Sequence, residues 1–138
     1  MGLDTSYNCW HGAYGAFTRW RHTIAEAAGY RIWPVTYGDG TKMDTIMLEW
    51  HRYREHKELL GEWDETPHDP LIVLFAHSDC EGVIHPAQAI PLADALEAIL
   101  PKLDGDGGGH IGNYREKTQK FIDGLRLAAA KGEDVDFH

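Results

Sequence analysis

Apolar residues recur at helical spacing in four stretches of the chain. From Ala13 to Ala28 the residues Ala13, Phe17, Trp20, Ile24, Ala27 and Ala28 fall on one helical face, and Gly29 is placed to end the helix. A second pattern runs from about Thr45 to Leu60, with Met43, Met47, Trp50, Tyr53 and Leu60 on one stripe and Gly61 as its stop. Pro91, Leu92, Leu96, Ile99 and Leu100 predict a third helix closing near Leu103. The last helix has a start signal, Asn113 as cap with Glu116 three residues on. Tyr114, Phe121, Leu125 and Ala128 form its buried stripe and Gly132 ends it.

Between these lie shorter segments. Tyr30 to Tyr37 alternates and runs into Gly38-Asp39-Gly40, so it reads as a short strand or an extended loop before a turn. Glu62 to Pro70, with two prolines among acids, reads as an exposed connection. Leu71 to Ala76 is a short apolar run whose periodicity fits strand and buried helix equally. Val135 to His138 is a candidate terminal strand beside Leu3 to Tyr7. The expected fold is therefore α+β and predominantly helical, a single compact domain over residues 1–138 with about four helices and a small terminal sheet.

Composition narrows the function classes. The chain has 138 residues, 43% of them hydrophobic, with five Trp, six Tyr and four Phe, which is enough for one packed core. Its 22 acidic and 13 basic residues give a formal net charge of -9, which opposes general binding to phosphate backbones. No apolar run has the length of a membrane span, and Met1-Gly2-Leu3-Asp4 does not open a signal sequence, so a cytoplasmic protein is expected. Cys9 and Cys80 are too few for a disulfide scaffold and read as reduced thiols. A homo-oligomer is compatible with all of this.

Four places carry candidate chemistry. His77 to Gln88 has the register of a calcium loop, with His77, Asp79 and Glu81 at alternate positions and Gly82 at the sharp turn. His77 and Gln88, however, stand where an acidic first ligand and a bidentate Glu are needed, so an EF-hand-like helix-loop-helix without good calcium ligands is expected. The density of His77, Asp79, Cys80 and His85, with His138 available from the end of the chain, leaves a divalent transition metal as the alternative, although no zinc-finger or metalloprotease spacing is present. The glycine-rich stretch 104–112 before Asn113 could present amides to an anion, with His110, Asn113 and Arg115 beside it; a plain flexible connection is the competing reading. Trp10, His11 and Tyr14, followed by Arg19, combine aromatic faces with a guanidinium able to hold a base or a phosphate. Trp20 reads as core and Trp10 as the freer of the two.

Gly2-Leu3-Asp4-Thr5, Trp10-His11-Gly12-Ala13-Tyr14, Arg19-Trp20-Arg21, His77-Ser78-Asp79-Cys80 with Gly82, His110-Ile111-Gly112-Asn113-Tyr114-Arg115 and Phe137-His138 together resemble a family of small proteins encoded by bacteriophages and prophages. The resemblance spans most of the chain, with residues 30–66 least characteristic, and implies a phage setting in the host cytoplasm rather than a mechanism. The leading expectation is an accessory protein that binds a small polar, nucleotide-like ligand, for instance to sequester a signal of bacterial defence. The alternatives are a metal-dependent hydrolase using the His/Asp/Cys residues and a protein-interaction module that blocks a host factor.

Overall fold

A computed structural model of the protein describes residues 2–36, 38–47, 70–77, 82–103 and 114–138. In chain order these form β1 (Gly2–Asp4), a 3-10 turn (Ser6–Asn8), β2 (His11–Ala13), α1 (Tyr14–Ala27), β3 (Arg31–Thr36), β4 (Lys42–Met47), α2 (Leu71–Ala76), β5 (Val83–Ile84), α3 (Pro86–Ile99), a 3-10 turn (Leu100–Lys102), α4 (Tyr114–Ala130) and β6 (Val135–Asp136). The fold is the expected helix-rich α+β arrangement. No helix among the described residues is long and apolar enough to cross a membrane.

The two helices with the clearest sequence patterns end in the same way. Past α1, Gly29 takes φ 90°, its N–H donates to Glu26 O at 3.0 Å and Tyr30 N–H donates to Ala25 O at 2.9 Å. Past α4, Gly132 takes φ 68°, with Gly132 N–H on Ala129 O at 3.0 Å and Glu133 N–H on Ala128 O at 2.9 Å. Both are Schellman closures, in which a left-handed residue lets the chain turn back and satisfy the last carbonyls, so a Cβ-bearing residue at either position is strained.

The core is aromatic. Trp10 stacks on Trp20 at 5.1 Å and meets Phe17 edge-on at 5.2 Å, Trp20 lies 4.9 Å from Phe121, and Phe17 meets Phe137 edge-on at 6.0 Å. Such pairs add about 0.5–1.5 kcal/mol each to the burial of the rings. Trp20 also donates its indole N–H to the buried Thr118 hydroxyl at 2.9 Å, which ties α1 to α4. Arg21 lies 4.6 Å from the Phe17 ring centre and donates to His77 O at 2.7 Å and Leu74 O at 3.3 Å, satisfying carbonyls at the C-terminal end of α2. On the outer side of the α3–α4 pair, Arg126 bridges Asp94 and Glu97.

The two ends of the chain share one narrow antiparallel ribbon. β1 pairs with β2 in the register Leu3↔Gly12 and Asp4↔His11, and β5 pairs with β6 in the register Val83↔Asp136 and Ile84↔Val135. The last residues join the two ladders: Thr5 bridges Phe137, Asp4 and His138 exchange both backbone hydrogen bonds, and Phe137 N–H donates to Gly82 O at 2.9 Å. Alternation follows. Leu3, Thr5, Ile84, Val135 and Phe137 are buried, while Asp4, Asp136 and His138 face solvent.

Two expectations need correction. Residues 42–47 form a strand and not the start of a helix, because Lys42–Met47 pairs residue for residue with Arg31–Thr36. The connecting turn is fixed by Gly40 at φ 87° and by Asp39, whose carboxylate accepts Thr41 N–H at 2.9 Å and is held below the usual carboxylate range by its Thr41 hydrogen bonds. Met43 and Met47, four residues apart, share a face in a helix and in a strand alike, so their spacing did not discriminate. The remainder of that expected helix lies outside the described residues. The third helix begins at Pro86 rather than Pro91, since Pro86 occupies the first turn and Gln88 Oε1 accepts His85 N–H at 3.0 Å across the N-terminus. Leu71–Ala76, left open between strand and helix, is helical.

Candidate functional site

The described structure redistributes the expected ligand-binding residues. Trp10, read as the freer tryptophan, is 2% exposed and packed inside the aromatic core, and its Nε1 has no hydrogen-bond partner among the described residues. His11 points outward and pairs through Nδ1 with Asp4. Tyr14 is half-buried against the core and Arg19 is exposed on α1. Arg115 donates Nε–H to Leu103 O at 2.5 Å, tying the start of α4 to the end of α3. His110 and Asn113 lie outside the described residues, as do Asp79 and Cys80.

The metal-ligand expectation is divided in the same way. His77 is 4% exposed, its ring 4.1 Å from that of Phe137 and its Nε2 donating to Val83 O at 3.0 Å. In a calcium loop of this register the first residue and the seventh carbonyl both face the cation; here the imidazole of the first bonds the carbonyl of the seventh, while Gln88 at the twelfth caps α3. His85 pairs with Asp134 at 3.0 Å. Phe137 and His138 are consecutive on an extended strand, so their side chains leave opposite faces, and His77, seated on Phe137, lies across the ribbon from His138. Among the described residues no three His, Cys, Asp or Glu side chains converge to hold a metal.

The feature the sequence reading missed lies between the two ends of that ribbon. Thr5 and Trp10 clamp a short excursion of the chain: Thr5 N–H donates to Trp10 O at 3.1 Å and Trp10 N–H donates to Thr5 Oγ1 at 2.9 Å. Within the clamp Tyr7 and Asn8 both stand at φ 58°, in the left-handed region. Two adjacent non-glycine residues there cost about 1–3 kcal/mol each and persist only when the surroundings over-determine them. Trp10 buried on one side and Cys9 buried on α4 on the other provide that determination. Burial pushes the Cys9 thiol up to about 12, so it is a packed thiol and not a nucleophile.

Gly124 is what lets the turn sit down on α4. A Cβ at this position would stand 2.9 Å from Tyr7 O and 3.2 Å from Cys9 Cα, and closer still to Cys9 Sγ. The turn and the helix thereby enclose an open groove of about 390 Å³, lined by Tyr7, Asn8, Gln119, Lys120, Asp123 and Leu127 among others. A second, more polar cavity of about 520 Å³ lies on the other side of Tyr7, with Ser6, Glu133, Asp134 and Asp136 on its wall. Partial burial, and next the hydrogen-bonded Glu133 carboxylate, raise the Tyr7 phenol, so it stays protonated and able to donate. Gln119 donates to Asp123 at 2.9 Å, whereas the Asn8 amide and the Lys120 ammonium have no side-chain hydrogen bond or ion pair among the described residues. The groove thus offers an aromatic ring, an amide, an ammonium and an exposed leucine, with carboxylates at its edge.

No protein family, curated protein or solved structure matches this chain in sequence-family, sequence or structure comparison.

Proposed function

We propose that the protein is a small-ligand-binding accessory protein, of phage origin as its sequence resemblance implies, and that its ligand is a polar, nucleotide-like molecule held between the Tyr7–Asn8 turn and α4. The observation that carries this reading is the pair of left-handed, non-glycine residues set over an open groove. Strain retained at two adjacent positions calls for a reason, and presentation of the Tyr7 ring and Asn8 amide to a ligand supplies one. Tyr7 offers a face for a base, Asn8 an edge able both to donate and to accept, and Lys120 a counter-charge for a phosphate. Trp10 supports the turn from inside instead of touching the ligand. Calorimetric titration of the purified protein with mono-, di- and cyclic nucleotides tests the reading. Saturable binding is expected, weakened at least about fivefold in Lys120→Ala, a factor typical of one lost charged contact. Absence of binding across the panel, or binding indifferent to Lys120→Ala, refutes it.

A further inference from the structure

The α4 wall of the groove is one-sided in its hydrogen bonding, and a one-sided wall selects among bases. Gln119, Asp123 and Leu127 follow one another by a helical turn along α4, so they form one exposed row on the lining of the groove. Gln119 Nε2 donates to Asp123 Oδ1 at 2.9 Å, which uses a donor of the wall and holds the carboxylate in place. Asp123 Oδ2 has no partner among the described residues, and Oδ1 keeps a second lone pair. Glu116, on the same lining, is another group that only accepts when ionised, and the lining carries one ammonium, Lys120. Asp123 adjoins Gly124, where the Tyr7–Asn8 turn rests on the helix, and Lys120 lies one helical turn before that contact. A base laid on the Tyr7 ring therefore meets acceptors at Asp123, with its phosphate directed to Lys120.

The common bases differ in what they offer such a wall. Guanine carries two adjacent donors, its ring N–H and its 2-amino group, spaced to meet the two oxygens of one carboxylate. Adenine and cytosine set a ring lone pair beside their single amino group, and uracil flanks one N–H with two carbonyls. Each of these turns a lone pair towards the anion, and a site built to accept hydrogen bonds discriminates strongly against a ligand that cannot donate them. From this wall we infer that the ligand of the groove is a guanine nucleotide, with Asp123 as the specificity-determining residue that accepts the ring N–H and the 2-amino group. Asn8, whose amide has no side-chain partner among the described residues, is left to donate to the guanine carbonyl. The inference rests on the nucleotide reading of the groove and narrows it to one base.

Calorimetric titration with four nucleoside monophosphates that differ only at the base edge tests the assignment: those of guanosine, of inosine, which lacks the 2-amino group, of adenosine, and of xanthosine, which has a carbonyl in its place. The parent should bind guanosine monophosphate at least about tenfold more tightly than the inosine compound, the factor for one hydrogen bond to a charged group, and more tightly still than the adenosine compound. Asp123 is exposed, and an asparagine there still accepts from Gln119, so Asp123→Asn is expected to fold as the parent does. With its oxygen held by Gln119, the new amide turns its N–H groups to the base and should favour xanthosine monophosphate over guanosine monophosphate. A merely structural role for Asp123 would not reverse that order. An Asp123→Asn variant for which guanosine monophosphate remains the tightest ligand overturns the assignment. So does a parent that binds adenosine monophosphate as tightly as guanosine monophosphate; if that binding is weakened by Lys120→Ala, the nucleotide reading of the groove survives and only the choice of base fails. Absence of binding to any nucleotide overturns both.

Discussion

Replacing Gly124 by Ala isolates the contact on which the candidate groove depends. In an ordinary helix interior this exchange is favourable by about 0.5–1 kcal/mol, because alanine has less backbone freedom to lose on folding. Here the new methyl stands 2.9 Å from Tyr7 O and 3.2 Å from Cys9 Cα, both backbone atoms that cannot rotate aside. The turn has to lift from α4, and overpacking of this kind costs about 1–3 kcal/mol. The overpacking term exceeds the propensity gain, so a net loss of about 1–2 kcal/mol is expected from urea unfolding followed by far-UV circular dichroism. Cys9→Ala in the same background removes the Sγ clash but leaves the Tyr7 carbonyl, so the double variant should recover only part of the loss. A more stable Gly124→Ala, gaining what a solvent-facing helical glycine gains, would show that the Tyr7–Asn8 turn does not rest on the helix and would remove the physical basis of the groove.

Two further outcomes follow from the core. Trp10 and Trp20 are stacked on one another, but among the described residues only Trp20 has a partner for its indole N–H. The same Trp→Phe change should therefore be costlier at position 20, where it strands the buried Thr118 hydroxyl, than at position 10, where it relieves an orphan donor. A difference of about 2 kcal/mol between the two variants is expected, and equal losses in chemical denaturation would contradict the assignment. The Cys9 thiol, raised from 9.0 to about 12 by burial, ionises first in the unfolded chain. Its contribution is intact below pH 9 and is lost as pH rises towards 12, with a limiting slope of about 1.4 kcal/mol per pH unit. The parent should thus lose stability over that interval faster than Cys9→Ala; parallel pH profiles would show that the thiol is accessible in the folded protein.

How much of this was readable from the chain depended on whether the signal was local. α1 and α4 were legible because each has an apolar stripe and a glycine at its C-terminal stop, and both glycines adopt the left-handed conformation those stops require. The terminal strand beside Leu3 to Tyr7 was anticipated and is joined there through Thr5–Phe137 and Asp4–His138, but its ladder partner, Val83–Ile84, was not. The β3–β4 hairpin was not, since Met43 and Met47 satisfy both periods and the deciding contribution is the partner strand. The start of α3 was missed because Pro91 reads as a first-turn proline, whereas Pro86 holds that place and Pro91 is carried inside the helix.

The candidate site shows the same limit more sharply. Histidines and glycines drew the sequence reading to His77, His85 and His110, because ligating side chains are recognisable one at a time. Yet His77 is turned inward onto Phe137 and Val83, and His85 pairs at the surface with Asp134; each is occupied by its immediate surroundings. Trp10 carried no helical neighbours to mark it as core, and its burial comes from the Thr5 clamp, a pair of hydrogen bonds that no periodicity encodes. Gln119, Lys120 and Asp123 look like the solvated face of an amphipathic helix, which they are, until a turn from the other end of the chain is laid against them. One residue did signal that contact. A glycine in the middle of an otherwise strong helix costs about 1 kcal/mol relative to alanine and usually marks a close approach. Gly124 stands between Phe121 and Leu125 of the buried stripe, where nothing local requires it, and the requirement it answers is the backbone of Tyr7 and Cys9.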